Sequence, residues 1–135
     1  GARVMLRGDG GIAGALMAVS RHAGADLLMG VGGAAEGITA ACAVKALGGA
    51  MLGRLWMQNE EERAAVEATG FDPRRVLYCD ELVTSDQIFF AATGITDNPL
   101  LSGVRYQGRR AETESLVLRG ETGTRRLIRA EHRLE

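Results

Sequence analysis

Three glycine-rich stretches hold the residues best suited to chemistry: Gly8-Asp9-Gly10-Gly11, Gly30-Val31-Gly32-Gly33-Ala34-Ala35-Glu36-Gly37, and Thr93-Gly94-Ile95-Thr96-Asp97. A glycine-rich turn that enters a helix exposes backbone N–H groups with no intrahelical partner, and the helix dipole adds partial positive charge there. Such a turn binds anions, most often phosphate. Glu36 falls in the first turn of the helix expected after Gly33, where the dipole favours a carboxylate but where a phosphate would also sit. Two anions so close repel unless a cation lies between them, and a hard divalent cation held by oxygen ligands meets that need. Glu36 is thus either a metal ligand shared with a phosphate or a solvated carboxylate that favours the helix start. Asp9 carries the same ambiguity: it can accept from sugar hydroxyls or cap the helix that follows.

The remaining titratable groups offer less. His22 and His132 read as surface residues, and no Ser, Cys and His arrangement suggests a nucleophilic triad. Lys45, the single lysine, is expected to be solvated on its helix, and Trp56 to pack at a strand end. Cys42 and Cys79 lack the repeated spacing of a zinc or redox motif and read as buried thiols. Arg125, Arg126, Arg129 and Arg133 alternate with apolar residues, as on a solvated strand face. With a net charge of −1 and interspersed signs, the chain lacks the clustered basic face that nucleic acid requires. No apolar run is long enough to span a bilayer, and the first residues do not resemble a signal peptide. A cytoplasmic location is expected.

Elements that would position these loops follow from periodicity. Strands are expected at Val4–Arg7, Asp26–Val31, Ala50–Trp56, Val76–Tyr78 and Gln87–Ala92. Helices are expected at Ile12–His22, Ala34–Leu47 and from Asn59 through Thr69, with a helical turn at Asp80–Val83. Gly48-Gly49 has the form of a helix C-cap and Asn59 that of an N-cap. Strand and helix alternate, which predicts an α/β fold with a largely parallel sheet whose ligands gather beyond the strand C-termini. After Gly94 the strands Gly103–Gln107, Thr113–Arg119 and Thr124–Arg129 are joined by short turns, an antiparallel addition to the sheet. At 135 residues and 46% apolar content, this is one domain, residues 1–135.

Taken in order, these blocks resemble class II (GlpX-type) fructose-1,6-bisphosphatases. Gly8-Asp9-Gly10-Gly11-Ile12 is similar to the family's Asp-Gly-Asp segment, and Gly30–Gly37 to its Gly-Ile-Gly-Gly-Ala-Pro-Glu-Gly signature. Ala43–Gly49, Ala91–Asp97, Leu101–Tyr106, Ser115–Arg119 and Thr122-Gly123-Thr124 match further blocks. The resemblance covers essentially the whole chain and corresponds to the C-terminal, substrate-side portion of the family. It implies hydrolysis of the 1-phosphate of fructose 1,6-bisphosphate, with sedoheptulose 1,7-bisphosphate as a further substrate, using Mg²⁺ or Mn²⁺. It also implies the layered sandwich of the sugar and inositol phosphatases, and a homo-oligomer. By similarity Glu36 occupies a metal-ligand position, and Asp9, Gly10, Gly11 and Gly33 positions that hold the sugar phosphate. The catalytic water-activating group and most metal carboxylates are expected in the family's N-terminal half.

Several positions depart from the pattern. Gly11 replaces the second Asp of Asp-Gly-Asp, Ala35 the signature Pro, Asn98-Pro99 a Gly-Asp, and Glu112-Thr113-Glu114-Ser115 a Thr-Thr-His-Ser. A phosphate- or nucleotide-binding module without catalysis, or a degenerate relative of the family, is the competing reading. A dinucleotide loop, however, would carry an unbroken Gly-x-Gly-x-x-Gly and an acid closing the next strand.

Overall fold

Alanine, the strongest helix former, fills much of Ala34–Ala46, and this helix is the hub of the structure. A computed structural model describes residues 1–8, 11–21 and 23–135. The first helix, α1 (Gly11–Val19), packs against α2 (Ala34–Ala46). Ala41 and Ala43 are fully buried, and their small side chains let neighbouring elements come close on two sides. On one side, Ala40, Ala41 and Val44 meet Ala15 of α1 and Cys79. On the other, Ala43 and Ala46 join Leu16, Phe90, Leu116 and Leu118 in the main core.

Val19, which ends α1, lies against Gly49 just past α2, so the two helices finish side by side and start at the same end. The end of α2 is a Schellman arrangement: Gly48 has φ +71°, its N–H donates to Lys45, and the N–H of Gly49 donates to Val44. Both donors satisfy carbonyls that the helix leaves open. The expected cap at Gly48-Gly49 is therefore present.

Short strands β1 (Leu52–Gly53) and β2 (Leu77–Tyr78) pair with each other. Between them lies α3 (Glu60–Ala68), capped as expected by Asn59, whose side chain accepts from the N–H of Glu62 at 2.8 Å. The one-turn α4 (Cys79–Leu82) follows β2. The main sheet holds β3 (Phe89–Thr93), β4 (Arg105–Gln107), β5 (Arg110–Arg119) and β6 (Thr124–Arg133). Strand β5 is central: β3 and β4 lie along one of its edges and β6 along the other. Register places Phe90 opposite Leu118 and Ala92 opposite Leu116, which is the row that α1 and α2 cover. The outer face of the same strands pairs Thr93 with Ser115 through a 2.8 Å hydrogen bond and sets Arg119 over the Phe89 ring.

The α/β class holds, but the expected parallel sheet does not form: every strand pairing among the described residues is antiparallel. Val4–Arg7 and Asp26–Val31 are not strands, and only Leu52–Gly53 of Ala50–Trp56 is. The reason is lateral. A β-prone run becomes a strand only when another backbone lies beside it to take its hydrogen bonds, and these runs have no such neighbour among the described residues. Trp56, expected to pack, is exposed. No helix among the described residues is long and apolar enough to cross a membrane.

Candidate functional site at the start of helix α2

Gly33 caps α2 with extended backbone (φ −62°, ψ 149°) and no side-chain cap. Its carbonyl accepts the N–H of Gly37 at 3.0 Å, the first turn of the helix. The N–H groups of Ala34, Ala35 and Glu36 precede that bond and have no partner among the described residues. Three orphan donors and the positive helix end thus open on solvent at one place. Glu36 is exposed on this turn, and its carboxylate bends back toward Gly32, with Oε2 3.2 Å from where a Cβ on Gly32 would stand. A Cβ at position 32 would require the carboxylate end to give by a few tenths of an ångström.

Gly33 and Glu36 are therefore brought together by one helix start. Gly11 begins α1, and no atom lies within 4 Å of where its Cβ would be. Asp9 and Gly10 lie outside the described residues.

The third glycine loop does not join this chemistry as an open carboxylate. Asp97 accepts from the N–H of Gly103 at 2.8 Å, while Asn98 accepts from the N–H groups of Leu100 and Leu101 at 2.9 and 3.0 Å. Both side chains close the loop onto itself. Gly94 and Gly103 are required there, because a Cβ on either would run into loop backbone. Glu114 is also engaged. It accepts from the N–H of Ser102 at 2.7 Å, and this bond holds its carboxyl below the usual carboxylate range. Arg129 reaches both Glu112 and Glu114.

Lys45 was expected to be solvated and is not. Its side chain is 16% exposed; Nζ donates to the Val83 carbonyl at 2.8 Å and reaches Asp80 at 3.1 Å and Asp86 at 3.0 Å. The hydrogen bond to Asp86 leads the causes that raise its pKa. Lys45 thereby ties α2 to α4 and to the loop before β3. Its one sequence signal was its solitude: a lone lysine in an alanine-rich buried helix. Cys79 is buried as expected, with its thiol against the Ala41 carbonyl and its pKa raised by desolvation, whereas Cys42 is only partly buried.

Among the described residues, no three His, Cys, Asp or Glu side chains come together to hold a metal ion. Glu36 beside orphan amides suits one oxygen contact to a hard cation, which is an incomplete ligand set.

Residues 1–132 match the family model described as bacterial fructose-1,6-bisphosphatase, glpX-encoded. Over its whole length the chain is 39% identical to the fructose-1,6-bisphosphatase class 2 of Haemophilus influenzae. It is 35% identical to the fructose-1,6-bisphosphatase 1 class 2 of Escherichia coli K12. It spans 44% of the length of each of these relatives.

Proposed function

Because the chain belongs to the bacterial glpX-encoded fructose-1,6-bisphosphatase family, we propose that it forms the sugar-phosphate side of a site that hydrolyses the 1-phosphate of fructose 1,6-bisphosphate. The observation that carries this reading is the start of α2, where orphan N–H groups and the Glu36 carboxylate share one turn. In this reading the amides of Ala34 and Ala35 donate to phosphate oxygens, Gly33 lets the phosphate approach the backbone, and Asp9, Gly10 and Gly11 meet the sugar. Glu36 gives one oxygen ligand to Mg²⁺ or Mn²⁺, which when bound offsets phosphate charge and lowers the pKa of a coordinated water. Sedoheptulose 1,7-bisphosphate presents the same terminal phosphate to the same amides.

The other carboxylates and the water-activating group come, in this proposal, from the remainder of the family's sequence. Two exposed apolar runs support that division. Val4, Met5 and Leu6, and then Leu27, Leu28, Met29 and Val31, all face solvent, with Leu6 at 92% and Met29 at 85%. Side chains of both parities are exposed, which is the composition of strands buried on both faces of a sheet.

A phosphate-binding unit without catalysis is the second reading, favoured by one observation: Asp97, Glu112 and Glu114 are held by loop amides or by Arg129, leaving Glu36 alone on its turn. Phosphate release from fructose 1,6-bisphosphate decides between them, measured with Mg²⁺ and with Mn²⁺. The chain alone should release none. Mixed with the N-terminal portion of a close relative, it should turn over, and Glu36→Gln should abolish that turnover. Robust release by the lone chain would overturn the division of the site. Release by the mixture that is unaffected by Glu36→Gln would remove the metal-ligand role.

A further inference from the structure

In the main sheet, β4 and β5 are joined by the two-residue turn Gly108-Arg109. Gly108 has φ +58°, and Gln107 and Arg110 form the closing pair. A positive φ at the first turn position matches the hairpin turns whose twist suits flanking strands. The chain leaving β6 is pinned to this turn, since the N–H of Leu134 donates to the Arg109 carbonyl at 2.8 Å. Register on the other edge of β5 sets Arg133 directly opposite Arg110. Hairpin turn, ladder and pin together hold Arg109, Arg110 and Arg133 at one corner by their backbones.

Like charges opposite one another on neighbouring strands repel, and this corner does little to relieve it. Glu131 is the one carboxylate among the described residues that line the concavity here, 3.6 Å from Arg110. Arg109 and Arg133 have no carboxylate within salt-bridge distance among the described residues. Glu112, opposite Glu131, is already held by Arg129 at 3.1 Å. His132 is turned to Thr113, at 2.9 Å. Arg109, Arg110, Glu131, His132 and Arg133 line a concavity of about 520 Å³, open to solvent, with three guanidiniums set against one carboxylate.

We propose that this corner is a second anion site, separate from the start of α2, that takes a small phosphate-type dianion. Arg109 and Arg133 grip the oxygens by paired N–H donation, the geometry that suits guanidinium to phosphate. Arg110 is shared between the anion and Glu131. The site has no residue in common with α2.

Inorganic phosphate is the probe, titrated into the ¹⁵N-labelled chain at constant ionic strength against chloride. Saturable shifts are expected at the amides of Arg109, Arg110, Arg133 and Leu134 and at their guanidinium Nε signals. Arg109→Gln with Arg133→Gln should weaken this binding about tenfold or more, the loss expected for charge-assisted hydrogen bonds. Glu131→Gln removes the competing carboxylate and should tighten it, while Glu36→Gln should leave it unchanged. All these side chains except Glu36 stand on exposed strand or turn positions, and far-UV circular dichroism checks that each variant is folded. Shifts that never saturate, shifts confined to residues 30–37, or affinity indifferent to both the double arginine variant and Glu131→Gln would each overturn the proposal.

Discussion

Gly94→Ala should destabilise the chain markedly, although Ala is the smallest side chain that can be added. Gly94 is not among the positive-φ glycines, so its torsion angles suit Ala and the cost is packing alone. The new methyl would run into the Ser102 carbonyl and stand 3.2 Å from the Leu101 Cβ. Neither side can yield cheaply. The N–H of Gly94 donates to the Glu114 carbonyl at 3.0 Å, and the N–H of Ser102 donates to the Glu114 carboxylate at 2.7 Å, so one residue of β5 holds both walls of the gap. Overpacking a fixed gap costs about 1–3 kcal/mol. Because backbone rather than a side-chain end must move, the upper part of that range is expected. For a chain of this length it corresponds to a fall in Tm of roughly 4–12 °C. Gly37→Ala is the matched comparison. Gly37 lies in α2, and no atom lies within 4 Å of its built Cβ, so it should gain about 0.5–1 kcal/mol from helix propensity. Urea unfolding followed by circular dichroism gives both differences from the midpoints, provided that the m-values match the parent's. A Gly94→Ala midpoint equal to the parent's, or equal losses in both variants, would refute the argument.

Glu114, Lys45 and Gly11 each give a further measurable outcome. The folded pKa of Glu114 is lowered by the Ser102 N–H, so its contribution is present above the ordinary carboxylate pKa of about 4.3 and is lost as pH falls through the folded value. Glu114→Gln should therefore be less stable than the parent at pH 7, and the gap in urea midpoint should close toward pH 3; a pH-independent gap would contradict this. Lys45 has a raised pKa, with its Nζ on Asp86, Asp80 and the Val83 carbonyl. Its contribution is present below the ordinary lysine value of about 10.4 and lost as pH rises through the folded one. Lys45→Met should lower stability at neutral pH and converge with the parent in strong alkali; equal stability at pH 7 would return Lys45 to a solvated role. Gly11→Asp, which has open space for its side chain, should lower KM for fructose 1,6-bisphosphate under the proposed function, measured in the mixture with the N-terminal portion of a relative. One hydrogen bond from a sugar hydroxyl to a charged acceptor is worth about 1.5–3 kcal/mol, and an unchanged KM would place the sugar elsewhere.

Family membership was legible in the residues, because it rests on the order and spacing of short motifs along the chain. So were the features that a few neighbouring residues complete among themselves. Asn59 caps α3 with its own side chain, Gly48-Gly49 closes α2, and the turns at Gly108 and Gly123 set the β4–β5–β6 meander. The start of α2, with Gly33 and Glu36 on one turn, is of the same kind, since a helix start needs only its own first residues. Tertiary structure decided what depends on a distant backbone. Asp97 and Glu114 are acids whose chemistry is set by which N–H lies beside them, those of Gly103 and Ser102, and no periodicity reports that. Lys45 looked solvated on its helix until α4 and the loop before β3 brought Asp80, Val83 and Asp86 around it. Strand sense was settled in the same way. A run of β-prone residues states that a segment can extend, while the neighbour it pairs with, and in which direction, depends on where the rest of the chain lies.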